Sequence, residues 1–267
     1  MKELFVRALS GAIYVFILLG SIFLSELSFF ILFSILGIIC LNEFLKLIHL
    51  KSIVLYGVLL LFIALFSVVQ FDLYATKLLL ILTGFINLFL LKDLLWVNMI
   101  PMYQKKKYAV TILYLICGFV FITLIPFYNN VYSPHLIASV FILIWANDIF
   151  AFLIGKYFGK RKLFERISPK KTIAGFVGGM IACIVASFFI FKYLAIFSPI
   201  FWIGLALLIS FLGPVGDLIQ SKFKRQAGVK DSGNLIPGHG GVYDRLDSIL
   251  YAAPFIYTYI ILTDYVS

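Results

Sequence analysis

Apolar residues in this chain gather in blocks and do not alternate with polar ones. The blocks lie near residues 8–24, 27–41, 52–70, 78–91, 109–126, 136–155, 173–191, 199–216 and 248–264, each closed by a short polar or charged stretch. Blocks of this kind read as membrane-crossing helices, because a helix needs about 20 apolar residues to span the hydrocarbon core. A membrane β-barrel would alternate apolar and polar positions in segments of about 10. The pattern predicts an all-α, polytopic integral membrane protein with about nine transmembrane helices. The second and fourth blocks are short for a full crossing. The opening "MKELFVRALSGAIYVFILLGSIFL" has the basic start and apolar core of a signal peptide but no small-x-small cleavage pattern. A further apolar block begins at Leu27, so the first block is read as a retained span.

Counting Lys and Arg in alternate loops tests this layout. With a cytoplasmic N-terminus, Lys2 and Arg7 fall inside, followed by Lys46 and Lys51, then Lys92 and Lys105 to Lys107. The loop at 156–172 adds Lys156, Lys160, Arg161, Lys162, Arg166, Lys170 and Lys171. The last internal loop adds Lys222, Lys224, Arg225, Lys230 and Arg245. Twenty basic residues thus share one side, against Lys77 and Lys192 on the other. The asymmetry supports the span count, an outward C-terminus and residence in the inner (cytoplasmic) membrane. The segment 92–108, with Pro101, is the main connector. It separates N-terminal spans (1–108) from a C-terminal region (109–267) expected to hold the chemistry.

Composition agrees with the pattern. The 267 residues are 13% charged, where a soluble domain carries about 25%. The net charge of +10 follows from the loop asymmetry and suits anionic lipid headgroups. No separate basic domain exists, so nucleic acid is not an expected partner. Cys40, Cys117 and Cys183 lie far apart inside apolar runs and read as small buried hydrophobes, without disulfide or zinc spacing.

Acidic residues ask for another explanation. Asp217, Asp231, Asp244 and Asp247, four of only twelve, fall in the last internal loop and its edges. In "FLGPVGDLIQSKFKRQAG" the Gly213-Pro214 pair is expected to kink or interrupt a helix. Helix resuming beyond it would put Asp217, Ser221, Lys224 and Arg225 on one face. The plain alternative is an interfacial helix end with snorkelling bases, which leaves Asp217 unexplained. "SGNLIPGHGG" is a glycine-rich loop whose N–H groups can approach an anion. Asp244 and Asp247 follow at i and i+3 where a helix begins, and two such close carboxylates invite a hard divalent cation. Helix capping with Arg245 as counter-ion is the competing reading, but capping needs one aspartate. His239 has no paired ligand at zinc spacing; it either donates to a phosphate or orders the loop.

A third patch lies upstream. Asp148 sits beside Asn147 inside an apolar run, a candidate functional position for an intramembrane carboxylate. "SPKKT" offers Ser168, Lys170, Lys171 and Thr172 to an anion. Gly175, Gly178 and Gly179 read as helix-packing positions. No G-x-x-x-x-G-K-[ST], H-E-x-x-H or G-x-S-x-G motif occurs. Carboxylates for Mg²⁺ beside cations and glycines for phosphates point to phosphoryl or nucleotidyl transfer to a lipid at the membrane face. A lipid phosphate monoester is largely dianionic at neutral pH and needs no general base.

The stretch "SKFKRQAGVKDSGNLIPGHGGVYDRLD", Ser221 to Asp247, resembles the signature of the phosphatidate cytidylyltransferases (CDP-diacylglycerol synthases). That pattern runs S-x-x-K-R, four residues, K-D-x-G, then P-x-H-G-G-x-x-D-R-x-D, and every position is filled. "D-x-x-A-x-x-x-G-K" from Asp148 and "ISPKKT" from Ile167 are similar to the family as well. The N-terminal spans resemble it in hydropathy alone.

The resemblance implies transfer of a cytidylyl group from CTP to phosphatidic acid, giving CDP-diacylglycerol and pyrophosphate. It implies Mg²⁺, with K⁺ as a companion ion, and assembly as a homodimer. Asp217, Asp244 and Asp247 would centre the metal, with Asp231 as a further ligand. Lys171, Lys224, Arg225, Lys230 and Arg245 would contact phosphates, helped by Ser168, Lys170, Thr172 and Ser221. Two positions depart from the pattern: neutral Gln220 stands where Glu is frequent, and Ala174 where a polar residue is frequent. Asp217→Asn or Asp244→Asn is expected to abolish transfer while leaving the fold intact. The alternatives are a CTP-dependent lipid kinase or transferase with another acceptor, and a transporter using Asp148.

Overall fold

Helix starts follow caps that the sequence supplies. Ser25 and Ser28 cap each other reciprocally, each hydroxyl accepting the other's backbone N–H at 3.0 Å. This box divides α1 (Lys2–Leu24) from α2 (Glu26–Leu47) within a single residue. Asp72 accepts the Ala75 N–H at 2.7 Å and starts α4 (Leu73–Trp96). Ser198 accepts that of Phe201 at 3.1 Å and starts α9 (Pro199–Gln226). The remaining helices are α3 (Val54–Phe62), α5 (Gln104–Val110), α6 (Cys117–Leu124), α7 (Pro134–Phe158), α8 (Ile173–Leu194) and α10 (Tyr243–Asp264). Two π-helical segments, Ile63–Val68 after α3 and Thr111–Ile116 between α5 and α6, continue their helices without a break. The structure, a computed structural model, describes residues 2–128, 131–194 and 196–264.

Eight of these helices, taking α5 to α6 as one, are long and apolar enough to cross a membrane. The second and fourth blocks prove full-length, at 22 and 24 residues, because their helices run on through polar ends. The third is the short one: Val54–Val68 rises about 22 Å. It still reaches from face to face. Near its start, His49 accepts from Lys107 at the foot of α5; near its end, Ser67 meets Thr123 at 2.7 Å near the far end of α6. Among the described residues, eight long helices and this shorter one thus run between the two faces of the bundle.

That arrangement gathers the basic loops. Arg166 donates to Asn98 and Val97, and Gln226 exchanges two hydrogen bonds with the backbone of Ile100, at 3.0 and 3.1 Å. Lys222 is buried against the carbonyls of Asp93, Leu94 and Val97 and closes the end of α4. On the opposite face Tyr132 donates to the Ile22 carbonyl, and the short hairpin β1 (Phe127–Tyr128) and β2 (Val131–Tyr132) packs Tyr128 on Phe197.

Helix α6 is the hub. All eight of its residues are buried, as expected for a helix that is apolar all round. One hydrophobic core runs from Leu18 on α1 to Ile260 on α10. Outward side chains such as Phe16, Tyr74, Phe188 and Ile200 are exposed and apolar, a surface that suits lipid. Cys40, Cys117 and Cys183 are buried and free, as their apolar settings predict.

Candidate active site

Close helix contact builds the site, and glycine permits it. On α8 a Cβ at Gly175 would lie 2.5 Å from the Ala151 carbonyl of α7, and one at Gly179 would lie 2.7 Å from that of Asn147. Gly216 of α9 stands in the same relation to the Asp247 carbonyl of α10, at 2.5 Å. These contacts bring Asp148, Asp217 and Asp247 from three helices to one cavity of about 640 Å³. The volume suits a nucleotide-sized ligand.

Helix α9 runs through Gly213-Pro214 without interruption, Pro214 lying inside the helix. Its 28 residues rise about 42 Å, beyond the roughly 30 Å of a hydrocarbon core. The last turns can therefore stand at the interface. Asp217 and Ser221 share a face as predicted, the Ser221 hydroxyl donating to Asp217 Oδ1 at 3.1 Å.

Over the cavity lies an antiparallel hairpin, β3 (Lys162–Phe164) and β4 (Ser168–Thr172), which hydropathy gave no sign of. It presents Lys162, Ser168, Lys170 and Lys171 to the cavity. Lys171 reaches across to α9, pairing with Asp217 Oδ2 at 2.6 Å and donating to the Pro214 carbonyl at 3.3 Å. Thr172 also lines the cavity, but its hydroxyl accepts the Gly175 N–H at 3.1 Å and caps α8. Lys156, at the foot of α7, completes this basic side.

The start of α10 supplies Asp244, Arg245, Asp247 and Ser248, and Asp231 stands exposed at the rim. Asp244 is saturated. Its Oδ1 accepts from Lys224 Nζ at 2.7 Å and Gln220 Nε2 at 3.1 Å. Its Oδ2 accepts from the backbone of Ser232 at 2.8 Å, the Ser232 hydroxyl at 3.0 Å and the Gly241 N–H at 2.9 Å. These donors make Asp244 a loop anchor as well as an expected metal ligand, and its carboxylate is the counter-ion of buried Lys224. Asp247 differs: one oxygen accepts the Ser248 N–H at 2.8 Å, and neither Asp247 nor Asp148 takes part in an ion pair among the described residues.

Four expected phosphate contacts lie off the cavity wall, Ser221 among them, its hydroxyl turned to Asp217. Arg225 is exposed and turns back to the Val229 carbonyl at 3.0 Å, and Lys230 points into solvent. His239 docks the glycine-rich loop on α1, with Nδ1 2.9 Å from the Ser10 hydroxyl. That hydroxyl also donates to the Pro237 carbonyl at 2.9 Å. Burial, then the cations of Arg245 and Arg7, hold the imidazole below its ordinary 6.5, so it is neutral at pH 7. A neutral ring tied to α1 orders the loop. Gly238 and Gly240 flank it at φ of 74° and 88°, a left-handed backbone that glycine adopts without strain.

Sequence reasoning missed Glu43, a buried carboxylate on α2 bonded to the same loop. An acidic residue near the basic end of a span gives no local hint of a contact 189 residues away. Lys156 and Lys162 were counted for topology alone, yet both face the cavity.

Could these residues hold Mg²⁺? Among the described residues no three His, Cys, Asp or Glu side chains converge as a ready-made cage. Asp148, Asp217 and Asp247 nonetheless face one cavity and lie within Coulombic reach of each other. That set fits an ion bound by one or two carboxylates plus substrate phosphates.

Fold and site together define a polytopic helical membrane protein with a charged cavity, aspartates facing lysines, at the basic face of its bundle. The profile of the cytidylyltransferase family matches residues 5–263, and the chain belongs to that family. It is 33% identical to a phosphatidate cytidylyltransferase of Bacillus subtilis (strain 168), over 96% of this chain and 97% of that one. A protein of the same name from Staphylococcus aureus (strain COL) is 44% identical, and one from Staphylococcus haemolyticus 40%. Those two alignments cover 124 residues each, 46% of this chain, so the chain spans about half (47%) of those relatives' length.

Proposed function

We propose that the protein is a phosphatidate cytidylyltransferase, transferring CMP from CTP to phosphatidic acid to give CDP-diacylglycerol and pyrophosphate. The observation that carries this reading is the cavity: helix-borne aspartates face hairpin-borne lysines where a soluble nucleotide and a lipid headgroup can meet. The full-length likeness to the Bacillus relative supplies the substrates. The site lies at the basic face, which we assign to the cytoplasmic side of the cytoplasmic membrane. Homodimer assembly rests on the family resemblance.

A phosphatidate oxygen attacks the α-phosphorus of CTP, one P–O bond forms, and the bond to the β-phosphate breaks as pyrophosphate leaves. Among the described residues Lys162, Lys170 and Arg245 face the cavity without a carboxylate partner, the Arg245 side chain donating only to the His239 carbonyl, and are available to bind the polyphosphate. Lys171 is held by Asp217 at the centre, poised to exchange its carboxylate for a phosphate oxygen. Asp217 and Asp247, with Asp148, would hold Mg²⁺, and Asp231 stands at the rim as a further ligand; K⁺ remains a second cation of the proposal. When bound, the metal would neutralise charge developing on the phosphates. The acceptor phosphate is already ionised, so no side chain has to take its proton.

Purified protein in vesicles with phosphatidic acid, given CTP labelled at the α- or the γ-phosphate, tests the reaction. The α-label alone should enter lipid. Entry of the γ-label would mean a lipid kinase, and no CTP turnover would leave the transporter reading.

A further inference from the structure

Glu43 has no part in the chemistry above, yet it is among the most heavily bonded carboxylates in the protein. It lies on α2, is 5% exposed, and takes part in none of the ion pairs of the described residues. A buried anion without a counter-ion is unfavourable unless hydrogen bonds replace its water. Here they do. Oε1 accepts from the Val242 N–H at 3.1 Å, and Oε2 from the Tyr243 N–H at 2.9 Å and the Ser232 hydroxyl at 2.7 Å.

Two of those donors are N–H groups at the start of α10, which have no carbonyl partner within the helix and favour an anion. Glu43 thus caps α10 from another helix. Gly233 and Gly241 crowd the same carboxylate; a Cβ on Gly233 would lie 2.6 Å from Oε1, and one on Gly241 would overlap Oε2. Gly233 and Gly241 thus leave room for the Glu43 carboxylate where it is seated. The one Ser232 hydroxyl proton is shared with Asp244 Oδ2 at 3.0 Å, so this hydroxyl joins the Glu43 anchor to the Asp244 anchor.

What this network fixes is the first turn of α10, the turn that aims Arg245 and Asp247 at the cavity. We propose that Glu43 is a positioning residue for the transfer: it sets loop 232–241 and the start of α10 against the β3–β4 hairpin. The inference rests on the nucleotidyl-transfer reading. The lysines of the hairpin do not touch Glu43, so its loss should lower kcat chiefly and weaken the grip on CTP phosphates only through Arg245.

Glu43→Gln in the full-length protein tests this, since one acceptor oxygen becomes an NH₂ facing backbone N–H groups. Per folded molecule, kcat should fall about 10- to 100-fold, with KM for CTP within about threefold of the parent. Hydrogen exchange at residues 231–243 should quicken while α6 stays protected. Parental kcat, or exchange raised evenly through all helices, would overturn the proposal. Glu43→Asp keeps the charge, one methylene short, and serves if the glutamine variant does not fold; it should recover part of kcat, and full parental kcat would again overturn the idea. Wild-type inactivity on CTP and phosphatidic acid would sink the reaction, while the exchange comparison would still decide whether Glu43 anchors the loop.

Discussion

Asp217 and Asp244 are both lysine-paired aspartates in the signature region, yet their settings separate their roles. The Lys171–Asp217 pair is partly exposed at the cavity, whereas Lys224–Asp244 is buried and shares its carboxylate with three backbone or hydroxyl donors and Gln220. Asp217→Asn should therefore lower transfer about 100-fold or more with an unchanged melting transition. Asp244→Asn leaves a buried lysine without its counter-ion and should cost about 3–5 kcal/mol of stability. Thermal melts in detergent beside lipid-CDP yields would separate the two; equal melting of both variants would show that Asp244 is not an anchor. From their spacing both residues carry the same expected role, because spacing reports which side of a helix a residue shares and not how many donors surround it.

Among elements, the decisive contact is that between α9 and α10. A methyl on Gly216 meets the Asp247 carbonyl at 2.5 Å and Tyr251 Cβ at 2.8 Å, backbone and side-chain stem that cannot turn away. Gly213, one turn earlier, has Ser248 Cβ at 3.7 Å, an ordinary contact. Gly216→Ala should thus destabilise by about 1–3 kcal/mol and cut activity by moving Asp217 away from Asp247. Gly213→Ala should be neutral or slightly stabilising, since alanine favours helix. Melting and activity of the two variants check this, and indistinguishable behaviour would remove the close-approach argument. The hairpin β3–β4 marks the opposite case. "SPKKT" is legible as an anion-binding segment, but its strand pairing, the reach of Lys171 across to α9 and the contact of Arg166 with Asn98 arise only in the folded chain.

For the whole molecule, the twenty-to-two split of basic residues becomes a physical face, where loops from five parts of the chain meet. Single cysteines placed at Lys160 and Val131, both exposed, should react with an impermeant maleimide from opposite sides of intact cells, Val131→Cys from outside. Labelling of both from one side would overturn the topology and the cytoplasmic placement of the site. The buried native cysteines should stay silent in this assay.

Hydropathy and charge, read along the sequence, determined the helical membrane class and the region of the signature. These depend on local composition and on the cost of placing backbone and charge in hydrocarbon, which each segment carries by itself. Tertiary structure alone decided that α3 is the short pass, that Asp244 is an anchor, that His239 docks on α1, and that Glu43 holds the loop. Each of those depends on which residue, as far as 229 positions away, arrives within hydrogen-bond reach once the helices pack.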